Sequence, residues 1–299
     1  MGKARLNPLN DYMFLKIMGE KGDEEQLCAF LNAVLGRHGE DALVSVEILE
    51  NRRITAEVLG DKTSILDVRA ITAGKERIDI EVQLQNLGNM DRRSLFYWSR
   101  EFSMGMAAGQ YYEDAPNVIA INIVNYEFMA EAPAFHLCFH IREDTYRDLV
   151  LTDALEIHFI DMVKFRRLER KEPVVPTEPL HRWLMWMDKD SSEGLVKEII
   201  KMDSAIRKAE EKMVHVSMDK EALRAYHLRE MALSDWASGL NHARQEGRKE
   251  GREEGMKEGI KEGRNKAKRE VARNLKSNGI PVEQITLWTG LSLEEIGQL

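Results

Sequence analysis

Two short runs in the first third of the chain alternate polar and apolar residues. They are Ile65–Arg69 and Ile78–Gln83, and such alternation is typical of a half-buried β-strand. The polar segment between them, Thr72–Glu76, contains Gly74, a residue suited to a turn. The pattern therefore predicts a β-hairpin centred on Gly74.

The register of this hairpin determines which side chains face each other. Asp67 lies opposite Glu81, and Arg69 lies opposite Asp79 as a pair of opposite charge, which supports the register. Because alternate side chains of a strand share a face, Asp67, Glu81 and Gln83 project from the same side. Two facing carboxylates lie about 4.5–5.5 Å apart at Cβ, so they are close enough to share one divalent cation.

Periodicity predicts the remaining elements of an α/β core and a helical second half. Helices are predicted over 10–19, 24–35 and 91–112, and strands over 43–50, 65–71, 77–85, 117–125, 134–141 and 155–161. Further helices are predicted from near 180, from 191 to about 215, and from 219 onwards. Gly36 marks the end of the second helix.

Facing carboxylates repel each other unless a cation lies between them, and burial increases the cost. A hard cation such as Mg²⁺ removes the repulsion and activates a bound water for attack on a phosphoryl or carbonyl group. Gln83 lies on the same face and is placed to hold that water or to contact a phosphate. The pattern fits the solvated side of an antiparallel sheet equally well, so the residues alone leave both interpretations open.

An Asp in one strand, followed after a hairpin by Glu-x-Lys in the next, is the motif of the PD-(D/E)XK nuclease superfamily, and this chain resembles it with Gln83 in the place of the Lys. That departure is similar to the one in the Rpn family of recombination-promoting nucleases and transposase-like proteins. The resemblance extends in order along nearly the whole chain. It includes Asn10–Lys16, Ile65–Val68, Ile80–Gln83, Arg93 with Tyr97, Val118–Ile123, Leu155–Phe159, the late Glu-Gly repeats and Thr289–Ser292.

The resemblance implies a restriction-endonuclease-like core, a mixed sheet flanked by helices, with an α-helical C-terminal extension. It implies a DNA endonuclease that hydrolyses phosphodiester bonds with Mg²⁺ or Mn²⁺, linked to recombination, mobile elements or phage defence. Asp67 and Glu81 are then the metal ligands, and Gln83 completes the catalytic set. Lys16, Arg93 and Tyr97 are candidate DNA or supporting contacts, although on residue pattern alone they fit the borders of amphipathic helices.

Two other functions remain open at this point. One is a catalytically weak, DNA-associated and self-assembling protein, since Gln lacks the positive charge that a Lys brings to the nucleophile or phosphate. The other is a metal-assisted phosphodiesterase that acts on RNA. The formal net charge of −8 argues against tight non-specific coating of nucleic acid, but it is compatible with a site that gains affinity through a metal.

Composition adds limits on location and on other metal sites. No run of 18 apolar residues occurs and the start lacks a signal-peptide pattern, so a cytoplasmic protein without membrane association is expected. Cys28 and Cys138 lie in apolar contexts and are predicted to be packed. His136 and His140 flank Cys138, but the group lacks zinc-ligand spacing, so these residues and His158 are interpreted as core or interface histidines.

Residue composition divides the chain into a core and three C-terminal segments. The predicted division is a nuclease-like core over 1–172, a helical region over 173–240, a charged helix or linker over 241–270 and a small helical module over 271–299. Prolines 173, 176 and 179 mark the first boundary.

Glycines recur every fourth residue from Gly247 to Gly263 and predict either a self-association helix, hence a homo-oligomer, or a charged linker. Twelve Lys or Arg and seven Glu between Arg244 and Lys276 give that stretch a net charge of +5.

Overall fold

The computed structural model describes residues 5–49, 67–169 and 177–299. Its strands are β1 (Val46–Ile48), β2 (Val68–Thr72), β3 (Arg77–Gln83), β4 (Val118–Val124), β5 (His136–Phe139) and β6 (Leu155–Asp161). Its α-helices are α1 (Asp11–Met18), α2 (Glu24–Leu35), α3 (Met90–Met104), α4 (Met162–Glu169), α5 (Pro179–Met187), α6 (Glu193–Met202), α7 (Ser204–Met218), α8 (Lys220–Ser277), α9 (Val282–Thr289) and α10 (Leu293–Gly297). Two short 3₁₀ turns cover Gly39–Asp41 and Tyr112–Asp114.

The six strands form one mixed sheet in the order β1-β2-β3-β4-β6-β5. The first three strands are antiparallel neighbours, β3 pairs with β4 and β4 with β6 in parallel, and β5 closes the other edge antiparallel to β6. With helices on both sides, this is the α/β architecture that the sequence predicted. The sheet also places β3, which carries the candidate site, between two hydrogen-bonded neighbours.

The β2–β3 hairpin has the predicted register, from Val68 opposite Ile80 to Ile71 opposite Arg77. Its turn differs in detail, because the left-handed backbone (φ 65°) falls on Lys75 and not on Gly74. The amide of Lys75 donates to the carbonyl of Thr72 at 2.9 Å, as in a three-residue hairpin loop that ends on a left-handed residue. The turn keeps the register because the loop length is unchanged.

Several predicted boundaries are wrong by a turn or more. The helix predicted over 91–112 ends at Met104. The helix predicted over 191–215 is two helices, because Asp203 ends α6 and its side chain caps α7. Helix α4 was not predicted from the sequence. Residues 65–66 of the predicted second strand, together with Pro173 and Pro176, lie outside the described residues.

The sheet separates two hydrophobic layers. Ile78, Ile80 and Val82 of β3 point to the larger layer, where they pack with α1, α2 and α5–α7. The alternate face is covered by α3, whose Met90 packs with Ala120, Val124, Leu155 and Phe159. The residues of β3 that face α3 are the polar ones, Asp79, Glu81 and Gln83.

The chain divides into two compact units, Met1–Ser234 and Asp235–Leu299. In the second, the glycines from Gly247 to Gly263 lie within α8, and an added Cβ would meet open space at each of them. Left-handed Gly279 follows the end of α8, left-handed Gly290 ends α9, and a capping box at Ser292 begins α10. No helix among the described residues is long and apolar enough to cross a membrane.

Candidate active site

Asp67 comes directly before β2, so extending the hairpin register by one residue places it opposite Glu81. Both therefore lie on the face that α3 covers, together with Asp79. Asp79 and Glu81 are buried, with 5% and 4% exposure, whereas Asp67 is half-buried. The charge of Asp67 raises the pKa of both neighbours, as expected for close carboxylates.

Glu81 is a buried acid whose charge is incompletely compensated. Burial raises its pKa, the guanidinium of Arg93 opposes that rise, and Asp67 and Asp11 add to it. Nη2 of Arg93 lies 2.7 Å from Oε1 of Glu81. Neither carboxylate oxygen has a hydrogen-bond partner of standard geometry among the described residues. A buried carboxylate with unfilled acceptor positions is a costly arrangement unless something else occupies them.

Asp79 belongs to the same acidic group. Burial raises its pKa well above the usual 3.8, and Asp67, Glu101 and Glu81 raise it further. It shares a hydrogen bond with Asp67, while its Oδ1 has no partner among the described residues. The only role predicted for Asp79 from the sequence was a cross-strand pair with Arg69. Although these two face each other across the hairpin, Asp79 also adds a third carboxylate to the site.

Helix α3 brings Arg93 and Tyr97 to the acidic group, one turn apart as predicted. The guanidinium of Arg93 lies 5.6 Å from the centre of the Tyr97 ring, within cation–π range. Burial raises the pKa of Tyr97, and Glu81 and Asp67 contribute to the rise while Arg93 opposes it. Both side chains therefore border the acidic group, and the contact of Arg93 is with Glu81.

Polar contacts fix α3 against the sheet. Glu101 accepts from Nη2 of Arg77 at 2.7 Å and lies 3.4 Å from Nη1 of Arg69, which ties the helix to both strands of the hairpin. Near the other end of the helix, Asn122 donates to the hydroxyl of Ser94 at 2.7 Å. These contacts hold α3, and with it Arg93, in place over β3.

Tyr126 was not identified from the sequence. Its hydroxyl is buried and has no hydrogen-bond partner among the described residues. Burial raises its pKa, and the charge of Glu81 adds to the rise. It follows β4 in a loop, and only the parallel pairing of β4 with β3 brings it to the site.

The remaining candidate residues have contacts of their own. The amide of Gln83 donates to the backbone carbonyl of Gln85 at 3.2 Å. Lys16 forms a 2.5 Å ion pair with Glu20, and no contact joins it to the site carboxylates among the described residues. Asp11 is the first residue of α1 and is buried in a bidentate pair with Arg229, whose Nη2 lies 2.6 Å from Oδ2.

One group of possible ligand atoms was not predicted from zinc-ligand spacing. Ligand atoms of Cys138, His140 and Glu156 lie within 4.8 Å of one another. Cys28 is buried as predicted and donates to the carbonyl of Leu43, but Cys138 is exposed. Zinc-spacing rules missed this group because Glu156 comes from the neighbouring strand.

Comparison with known proteins agrees with the geometry on the fold and the class. A family model described as PD-(D/E)XK nuclease family transposase matches residues 8–243. The matched segment contains all the site residues described above, from Asp11 to Tyr126. No curated protein and no solved structure matches the chain.

Proposed function

Because this chain belongs to the PD-(D/E)XK nuclease family, we propose that it is a DNA endonuclease that hydrolyses phosphodiester bonds with Mg²⁺ or Mn²⁺. The proposal includes cleavage that promotes recombination or serves mobile elements or phage defence. The observation that carries it is the buried acidic group at the family's motif positions, in which Arg93 pairs with Oε1 of Glu81 while Oε2 has no hydrogen-bond partner among the described residues.

The residues present fit a hard divalent cation. Asp67 and Glu81 are the proposed ligands, and Asp79 adds negative charge beside them. Like-charged carboxylates with unfilled acceptor positions are the environment that Mg²⁺ and Mn²⁺ favour, since both prefer oxygen ligands. When bound, such a cation lowers the pKa of a coordinated water and stabilises charge on a phosphoryl oxygen.

The chain's own side chains orient the reacting groups. Gln83 lies two residues beyond Glu81 on the same face and can exchange its bond to the Gln85 carbonyl for one to a water or a phosphate oxygen. Arg93 holds one oxygen of Glu81 and directs the carboxylate. Tyr97 at the border of the site is a proposed contact to the DNA backbone, as is Lys16 on α1.

DNA is the proposed partner in spite of the acidic net charge. A nuclease can bind DNA through a local basic surface even when the net charge of the whole chain is negative. The basic stretch Arg244–Lys276 lies in α8 with most of its side chains exposed, and it offers such a surface.

A plasmid-nicking assay tests the proposal. Purified protein is incubated with supercoiled plasmid and Mg²⁺ or Mn²⁺, and conversion to open-circular DNA is followed on a gel. Asp67→Ala is expected to abolish nicking without changing the circular-dichroism spectrum. Asp153→Ala removes an exposed carboxylate just before β6 and is the matched control, expected to nick like wild type. Equal nicking by wild type and Asp67→Ala would overturn the assignment.

A further inference from the structure

A second polar cluster lies on the face of the sheet opposite to Glu81. In the sheet register, Glu81 is level with Asn122 and Phe159, whereas Cys138 faces His158, one position along β6. Since neighbouring residues of a strand point to opposite faces, Cys138 and His158 project away from the nuclease site. The cluster is also two strands or more from β3, at the open edge of the sheet.

The antiparallel pairing of β5 with β6 assembles this cluster. Cys138 lies opposite His158, and continuing that register places His140 opposite Glu156. Two facing pairs, spaced two residues apart on the same face, form a square of side chains whose tips meet. Cys138 is exposed, and His140 and Glu156 are half-buried, so the group is reached directly from solvent.

The distances between donor atoms match those between ligands of one zinc ion. Sγ of Cys138 lies 3.3 Å from Nε2 of His140 and 3.9 Å from Oε1 of Glu156. With Zn–S of about 2.3 Å and Zn–N or Zn–O of about 2.0–2.2 Å, a tetrahedral ion separates such atoms by about 3.6 Å. The three side chains therefore need only small rotations to bind one ion.

Two further histidines support the proposed ligands from behind. Nε2 of His158 lies 2.7 Å from Oε1 of Glu156, and Nδ1 of His158 lies 2.9 Å from Nε2 of His136. His158 is buried, so this relay fixes the Glu156 carboxylate from the protein side. Hydrogen bonds of this kind to ligating carboxylates are typical of the outer shell of metal sites.

We propose that Cys138, His140 and Glu156 bind one Zn²⁺, with His158 and His136 positioning Glu156. A thiolate and an imidazole select Zn²⁺ over Mg²⁺, whereas the all-oxygen group on β3 has the opposite preference. On binding, the thiol of Cys138 releases its proton to solvent as the S–Zn bond forms, and water fills the fourth position. The inference does not depend on nuclease activity.

Metal titration of the full chain tests this site. Protein stripped with a chelator is given one equivalent of Zn²⁺ or Co²⁺ in excess Mg²⁺ and then desalted. Wild type is expected to retain about one zinc per chain by elemental analysis and, with Co²⁺, to show a thiolate-to-cobalt charge-transfer band. Cys138→Ser is expected to lose that band and at least about tenfold of the zinc affinity.

Three variants keep the result interpretable. Cys28→Ser alters the other thiol, which lies elsewhere and donates to the Leu43 carbonyl, and is expected to bind zinc like wild type. Asp67→Ala is expected to keep its zinc, which separates this site from the nuclease site. His140→Ala checks a second ligand if Cys138→Ser misfolds. Retention of zinc by both Cys138→Ser and His140→Ala, or no zinc bound by wild type, would overturn the proposal.

Discussion

Both polar clusters of the sheet are assembled by the pairing of neighbouring strands, but their charges are compensated to different extents. On β3 and the residue before β2, three carboxylates meet, and burial and mutual repulsion raise the pKa values of Asp79 and Glu81. On β5 and β6, Glu156 meets His158, whose hydrogen bond lowers the pKa of Glu156. The acidic cluster thus carries more negative charge than Arg93 alone compensates, whereas the mixed cluster contains its own hydrogen-bond donors.

The contrast shows why buried carboxylates of one sign indicate function more strongly than mixed clusters. Burying several carboxylates of the same charge together destabilises a fold, because desolvation and electrostatic repulsion both oppose it. Such a group persists where a ligand compensates the cost when it binds. A mixed group is stable without a ligand, so only donor type and distance indicate metal binding.

Removing one carboxylate from the acidic cluster has the largest expected effect. Glu81→Gln keeps the shape of the side chain but removes a proposed ligand charge, so metal-dependent nicking should fall by roughly 100-fold or more, the range for losing one preorganised electrostatic group. Initial nicking rates at saturating Mg²⁺ measure it. Glu47→Gln, at an exposed position of β1, is the matched control. Nicking by Glu81→Gln at the wild-type rate would remove Glu81 from the mechanism.

Removing the internal cation is expected to have the next largest effect. Arg93→Ala leaves Glu81 charged and buried without its 2.7 Å partner. In metal-free protein this should lower the free energy of unfolding by about 2 kcal/mol, less than the roughly 3–5 kcal/mol for breaking a fully buried pair, because Arg93 is partly exposed. Urea unfolding with and without Mg²⁺ measures it.

Mg²⁺ should restore more stability to Arg93→Ala than to wild type, because the cation replaces the missing guanidinium charge. Arg92→Ala, which removes an exposed arginine of the same helix, is the control and should respond to Mg²⁺ like wild type. An equal Mg²⁺ response in all three proteins would mean that the ion binds away from Glu81.

Gln83→Lys tests the departure from the family motif. A Lys at this position brings a charged donor to the nucleophile or phosphate, and a charge-assisted bond in place of a neutral one is expected to raise the nicking rate by about tenfold. The rate should also become less dependent on Mg²⁺ concentration. Equal rates for the two proteins across a metal titration would show that Gln83 does not contact the reacting groups.

Local chemistry made the hairpin and the end of α2 predictable. Strand alternation and a three-residue loop determine the register that places Asp67 opposite Glu81, and Gly36 ends α2 at the predicted residue in a left-handed conformation. These features depend on neighbours within a few residues, so a single sequence contains them.

Contacts between distant segments were not predictable in the same way. The Asp11–Arg229 pair joins residues 218 positions apart. Only the parallel pairing of β3 with β4 brings Tyr126 near enough for the charge of Glu81 to add to the burial that raises its pKa. The proposed zinc ligands come from β6, from β5 and from the residue just beyond β5, and sequence spacing does not encode the pairing of these strands. Asp79 was assigned to Arg69 because both register and charge agreed, while the burial that raises its pKa depends on α3.

Glu76 and Glu81 should give opposite pH dependences in metal-free protein. Arg37 donates to both oxygens of Glu76, at 2.8 and 2.7 Å, and lowers its pKa below the usual 4.5. Its stabilisation, about 1 kcal/mol for a pair near the surface, is present above pH 4.5 and lost as pH falls through the folded pKa. Glu81 has a raised pKa, so its contribution is largest below 4.5 and decreases as pH rises. Urea unfolding of wild type, Glu76→Gln and Glu81→Gln between about pH 2.5 and pH 8 measures both slopes. Slopes of the same sign would mean that Arg93 compensates Glu81 as fully as Arg37 compensates Glu76.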